Sequence, residues 1–162
     1  MNIADIVGIY GAVIGTVLAA RKIIAGRVKL RSSYHFYYTF ESNHTGTQIQ
    51  PGRFVMQLRI VNHGKQTRII SSLSMKLPRK MDDIDALQVV KPGEFPITLS
   101  EGAMYTKYVD LRQLLVVARD YNIKKGDSVK FYFQDTLGKK YYTKKVKVAN
   151  IKNYIDMNVD ET

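Results

Sequence analysis

Three aspartates at positions 82, 83 and 85 and three histidines at 35, 44 and 63 are the side chains whose chemistry could go beyond packing. Clustered carboxylates offer the oxygen ligands that calcium prefers, and imidazoles bind zinc or exchange protons near neutral pH. Neither set has the spacing those roles need. Asp82, Asp83 and Asp85 lack the regular positions and the glycine of a calcium loop, and Arg79 and Lys80 beside them would repel a cation. A solvated loop accounts for them. His35, His44 and His63 form no HxxxH or HExxH pattern and have no acid placed to orient a ring. His63 reads most simply as a turn residue. Asn43-His44-Thr45 matches the glycosylation tripeptide, which matters only on an exported face. No nucleophile elbow, phosphate loop or dinucleotide fingerprint occurs. The expectation is a non-enzyme without metal or cofactor.

The stronger signal is aromatic and basic residues interleaved near the C-terminal end. Tyr132 and Tyr141 sit among Lys130, Lys139, Lys140, Lys144, Lys145 and Lys147. Lysines on an exposed strand commonly protect its edge from pairing with another chain. The same pattern suits a lipid surface or single-stranded nucleic acid, where rings stack on bases and lysines follow phosphates. Lys130, Tyr132, Lys139, Lys140, Tyr141, Lys144 and Lys145 are therefore the candidate binding patch.

The elements that would position this patch begin with the N-terminus. Ile3 to Ala20 reads IADIVGIYGAVIGTVLAA and holds one charge, Asp5. Eighteen residues at helical rise cover roughly 27 Å, close to the hydrocarbon thickness of a bilayer. Arg21, Lys22, Arg27, Lys29 and Arg31 follow as a basic collar. An apolar span before such a collar predicts a single transmembrane helix with its C-terminal side in the cytoplasm. A cleaved signal peptide would need positive charge before the apolar core, and Met1–Ile6 offers only Asp5. Gly11, Gly15 and Ala19 recur every four residues, a small-residue face on which two such helices could pack into a homodimer.

Behind the anchor the pattern changes from apolar run to alternation. Leu30, Ser32, Tyr34, Phe36, Tyr38 and Phe40 share one face of a predicted strand over 29–40. Residues 41–52 read as a loop. Phe54, Met56, Leu58 and Ile60 point inward from a second strand, and Ile69, Leu73, Met75 and Leu77 from a third. Asn62-His63-Gly64-Lys65 is the turn expected to join these two as a hairpin, with Pro78 ending it. Three short strands follow within 87–109. Asp110 is placed to cap a helix over Leu111–Asp120, and a last hairpin turns at Asp135-Thr136-Leu137-Gly138.

The predicted fold is mainly β: a transmembrane helix, then an immunoglobulin-like antiparallel sandwich with one short helix. The domain boundaries are 1–27 for anchor and collar, 28–149 for the sandwich and 150–162 for a polar tail. With 25 Lys and Arg against 14 Asp and Glu, the chain carries a formal charge of +11. That balance suits anionic lipid or nucleic acid. The absence of cysteine excludes disulfides and thiolate chemistry.

An N-terminal helix ending in Arg-Lys, the stretch IVNHGKQTRIISSLSMKL and the later VDLRQLLVVARDYN and FYFQDTLGKKYY together resemble a recurrent layout. It is similar to small, mostly uncharacterised bacterial and prophage membrane-anchored proteins with an immunoglobulin-like domain, some of which act in superinfection exclusion. The resemblance implies a defence setting and assigns no residue a role. The expected function is a non-catalytic module held at the cell membrane, domain on the cytoplasmic side, binding membrane lipids and an unidentified protein. Nucleic-acid binding through the Lys/Tyr hairpin is the alternative. An outward-facing receptor would require the opposite topology.

Overall fold

The computed structural model describes residues 12–19, 29–42, 49–81, 83–91 and 93–159, and these are mainly β. A helical stretch, α1, covers 12–19. It is followed by β1 (Leu30–Ser42), β2 (Ile49–Asn62), β3 (Arg68–Met81), β4 (Ile84–Gln88), β5 (Ile97–Leu99) and β6 (Met104–Asp110). Then come α2 (Leu111–Asp120), β7 (Ser128–Asp135), β8 (Lys140–Tyr142), β9 (Val146–Lys147) and α3 (Val148–Val159). All pairings are antiparallel. One sheet runs β1-β2-β6; the other runs β4-β3-β7-β8, with β5 on β3 and β9 on β7.

Alternation builds the core. Phe54, Met56, Leu58 and Ile60 of β2 share one buried cluster with Leu73, Met75 and Leu77 of β3 and Val129, Phe131 and Phe133 of β7. Tyr105 of β6 meets Phe133 edge-on between the sheets, ring centroids 6.3 Å apart. Each such side chain is worth roughly 1.5–3 kcal/mol when buried, so a one-residue slip that turned a strand over would be costly.

Several expectations need correction. The transmembrane helix over Ile3–Ala20 is not supported. The helical residues described there, 12–19, cover roughly 12 Å at α-helical rise. Among the described residues no helix is long and apolar enough to cross a membrane. Residues 3–11 and Ala20 of the expected span lie outside the described residues.

The expected hairpin of β2 with β3 also does not form. β2 pairs with β1 and β6, whereas β3 pairs with β4, β5 and β7. The turn after Asn62 carries the chain between sheets. Asn62 is wholly buried there and fully engaged. Its Nδ2 donates to the carbonyls of Gln66 at 2.8 Å and Leu99 at 3.0 Å, and its Oδ1 accepts from the Gly64 amide at 2.9 Å.

Along β3, pairing with β7 shifts between Ile70 and Ser72. Ser71 Oγ donates to the Gln134 and Asp135 carbonyls at 3.0 and 3.2 Å, and Ile70 rather than Ile69 enters the core. β3 continues through Pro78 to Met81, and the loop expected over 41–52 is shortened from both sides by β1 and β2. Gly52 lies so close to β1 that a Cβ would meet the Thr39 carbonyl, while its amide donates to the Tyr38 hydroxyl at 3.1 Å.

At the C-terminus, the segment expected as a polar tail is helical as far as Val159. Val148 and Ile151 are buried, and Tyr154 stacks on Phe36 with centroids 5.2 Å apart. Positions three apart put these side chains on one helical face, against the inner side of β1. α2 forms as expected, with the Asp110 carboxylate accepting from the Arg112 amide at 2.7 Å and the Gln113 amide at 3.4 Å.

Candidate binding face on the β7–β8 hairpin

β7 alternates Val129, Phe131 and Phe133 inward with Lys130, Tyr132 and Gln134 outward. The turn that follows is held by one carboxylate. Asp135 Oδ1 accepts from the amides of Leu137 at 3.0 Å and Lys139 at 2.9 Å, and its Oδ2 accepts from the Tyr141 hydroxyl at 2.9 Å. Gly138 occupies the left-handed region at φ +80°, where a side chain would be strained. Burial first, and the Asp135 carboxylate second, push the Tyr141 phenol up to about 12.

The turn sets which rings face out. Tyr132 pairs with Tyr142 and Phe133 with Tyr141, so Tyr141 faces the core and Tyr142 the outer surface. Of the predicted patch, Lys130, Tyr132 and Lys140 come together on the outer face. Tyr141 does not, and Lys139 follows it, with Nζ 5.6 Å from the Tyr141 ring. Lys144 and Lys145 are exposed beyond β8. Tyr142 was missed because the parity of β8 depends on the exact turn length, which alternation within three residues does not reveal.

Lys76 was missed as well. It lies on β3 directly opposite Lys130, a cross-strand pairing of like charges. Among the described residues no carboxylate lies within 4.0 Å of the Lys76, Lys130, Lys140 or Lys145 ammonium. The lysines cover the aromatic faces instead: Lys140 Nζ is 4.7 Å from the Tyr132 ring and Lys130 Nζ 5.6 Å from Tyr142. The two rings are tilted against each other at 5.3 Å, and Tyr132 is only 6% exposed. Beside them runs a polar groove of about 620 Å³, lined among others by Lys76, Pro78, Asp127, Lys130, Tyr142 and Lys145.

The remaining sequence candidates do not converge. Asp83 pairs with Lys80 at 2.6 Å on the surface, Asp85 is exposed, and Asp82 and His44 lie outside the described residues. His35 is exposed on β1 and His63 in the turn after β2. Among the described residues no group of three or more His, Asp or Glu could hold a metal. Of the collar, Arg21, Lys22 and Arg27 lie outside the described residues. Lys29 is exposed and its carbonyl accepts from the His63 amide at 2.8 Å, while Arg31 is exposed on β1. Gly11 also lies outside them; Gly15 and Ala19 are exposed on α1, with nothing within 4 Å of where a Gly15 Cβ would stand. Searches with family models and against curated proteins found no match to this chain.

Proposed function

We propose that this chain is a non-catalytic binding module that takes an acidic segment of a partner protein on the outer face of the β4-β3-β7-β8 sheet. The observation that carries this reading is Lys76 directly opposite Lys130, with no carboxylate of the described residues within 4.0 Å of either ammonium; Asp127, which also lines the groove, pairs with Arg79 at 4.0 Å. Facing like charges are unfavourable in the free protein, and an arriving carboxylate relieves that repulsion. Lys140 and Lys145 widen the cationic area around the groove, so the ligand class is a run of Asp or Glu side chains. Electrostatic attraction of this kind speeds encounter and selects against basic partners.

Base stacking on the hairpin is the weaker alternative. A stacking surface needs open ring faces, whereas the Tyr132 and Tyr142 rings are capped by Lys140 and Lys130. Titration of the full chain with a poly-glutamate peptide tests the proposal. The affinity should fall at least about tenfold when Lys76 and Lys130 are both changed to Gln, as expected for loss of two phosphate- or carboxylate-facing charges at low salt. Unchanged affinity in that double variant would sink the proposal.

A further inference from the structure

The opposite side of the molecule carries a different combination of residues. On the outer face of β1-β2-β6, register aligns His35, Gln57 and Tyr108 in one row. Tyr37, Val55 and Asp110 form the next row; Ser33, Arg59 and Thr106 lie on the other side of the first, with Arg31, Val61 and Met104 beyond. Tyr37 is 42% exposed and Tyr108 55%, large values for rings on a sheet that presents its other side to the core. His35, Arg31 and Arg59 are exposed as well. The His35 and Tyr37 rings stand 6.4 Å apart, close to the roughly 7 Å that separates alternate residues of a strand. Gln57 Nε2 donates to the Tyr108 hydroxyl at 3.0 Å, which fixes where that ring sits. Between Tyr37 and Tyr108 lies a shallow depression of about 550 Å³ floored by Val55 and Gln57.

We infer that this face is a second binding surface, one that holds unpaired bases of single-stranded nucleic acid. Two exposed tyrosines on one sheet face, with the His35 ring beside Tyr37, are suited to planar ligands, since every base has a face that stacks on an aromatic side chain. Arg59, one row from His35 and Tyr108, and Arg31, one row further, bring guanidinium groups, which can grip phosphate oxygens in pairs, to the same face. Asp110 is the one acid in these four rows, and its carboxylate is engaged by the α2 amides. The two outer faces thus differ in kind. On the hairpin face lysines cap the rings; here Tyr37 and Tyr108 are half-exposed and arginines share their face. An acidic protein would use the charges of this face and leave the ring faces empty. A single strand uses both features. This surface shares no residue with the hairpin face, so it stands or falls independently of the acidic-peptide reading.

The test titrates the full chain with a labelled oligo-dT strand, a duplex of equal length and poly-glutamate. The single strand should bind more tightly than the duplex. Changing Tyr37 and Tyr108 together to Ala should weaken it at least about tenfold while leaving the slope of affinity against salt unchanged. Tyr108→Phe keeps the stacking ring and loses only the Gln57 bond, so it should weaken binding less than Tyr108→Ala does. Arg59→Gln should instead lower the salt slope by about one, and Lys76→Gln with Lys130→Gln should leave strand binding intact. Equal binding of duplex and single strand overturns the inference, as does full affinity in the double Tyr variant. So does a dimer that disappears in that variant, because a second copy would then be the occupant.

Discussion

Tyr141 donates its hydroxyl hydrogen to Asp135 Oδ2 across 2.9 Å inside the β7–β8 hairpin, six residues from the carboxylate that organises the turn. The contact anchors the strand that carries Lys140 and Tyr142, so the geometry of the cationic face depends on a bond beneath it. Tyr141→Phe should cost about 1.5–3 kcal/mol at neutral pH, the usual worth of a hydrogen bond to a charged group.

The same bond predicts an alkaline limit. The Tyr141 phenol is raised from the ordinary 10.0 to about 12, so folding favours its protonated form. Its contribution to stability is therefore complete below pH 10 and lost as pH rises through 12. Urea midpoints of the wild type should fall over that interval more steeply than those of Tyr141→Phe. Parallel curves would show that the phenol is not held as described.

Asn62→Ala removes the side chain that ties the inter-sheet turn to Gln66, Leu99 and Gly64. It leaves buried backbone groups without partners, at about 1–3 kcal/mol for each one stranded. Urea denaturation should show a loss larger than the roughly 1 kcal/mol expected for removing the helix cap in Asp110→Ala. A smaller effect at Asn62 would mean that water replaces its bonds at little cost.

Ile151 is 1% exposed on α3. Truncation in Ile151→Ala should destabilise the fold by about 2–5 kcal/mol, the range for a buried aliphatic cut to alanine. A change within about 0.5 kcal/mol, typical of surface positions, would restore the reading of this segment as a tail.

If Lys76 and Lys130 repel each other, Lys76→Gln should stabilise the free protein by about 0.2–1 kcal/mol at low salt. The gain should vanish in concentrated salt, where exposed charges are screened. Thermal unfolding at two ionic strengths measures both. Destabilisation at low salt would show that Lys76 serves the fold through its packed stem rather than a ligand through its charge.

Where alternation runs unbroken, residue order alone determined the strand and its inward face. Phe54, Met56, Leu58 and Ile60 of β2 are legible in this way, because a period of two leaves one arrangement that buries all four. The Asp110 cap of α2 was legible for an equally local reason: its carboxylate reaches amides two and three residues ahead. The mixture of Lys and Tyr near the C-terminus was visible as composition.

Tertiary structure decided what local pattern leaves open. The bulge at Ser71 exchanges Ile69 for Ile70, and no periodicity announces one inserted residue. Asn62 sends β3 to the other sheet by hydrogen bonds to Leu99, a residue far along the chain. Turn length chose Tyr142 over Tyr141 for the outer face, and cross-strand register placed Lys76 opposite Lys130 and Tyr108 beside His35 through Gln57. Apolar composition over Ile3–Ala20 suggested a spanning helix, yet among the described residues no helix is long and apolar enough to cross a membrane. Strand faces follow from neighbours in sequence, whereas both candidate surfaces are made of residues from different strands, which only the pairing of those strands brings together.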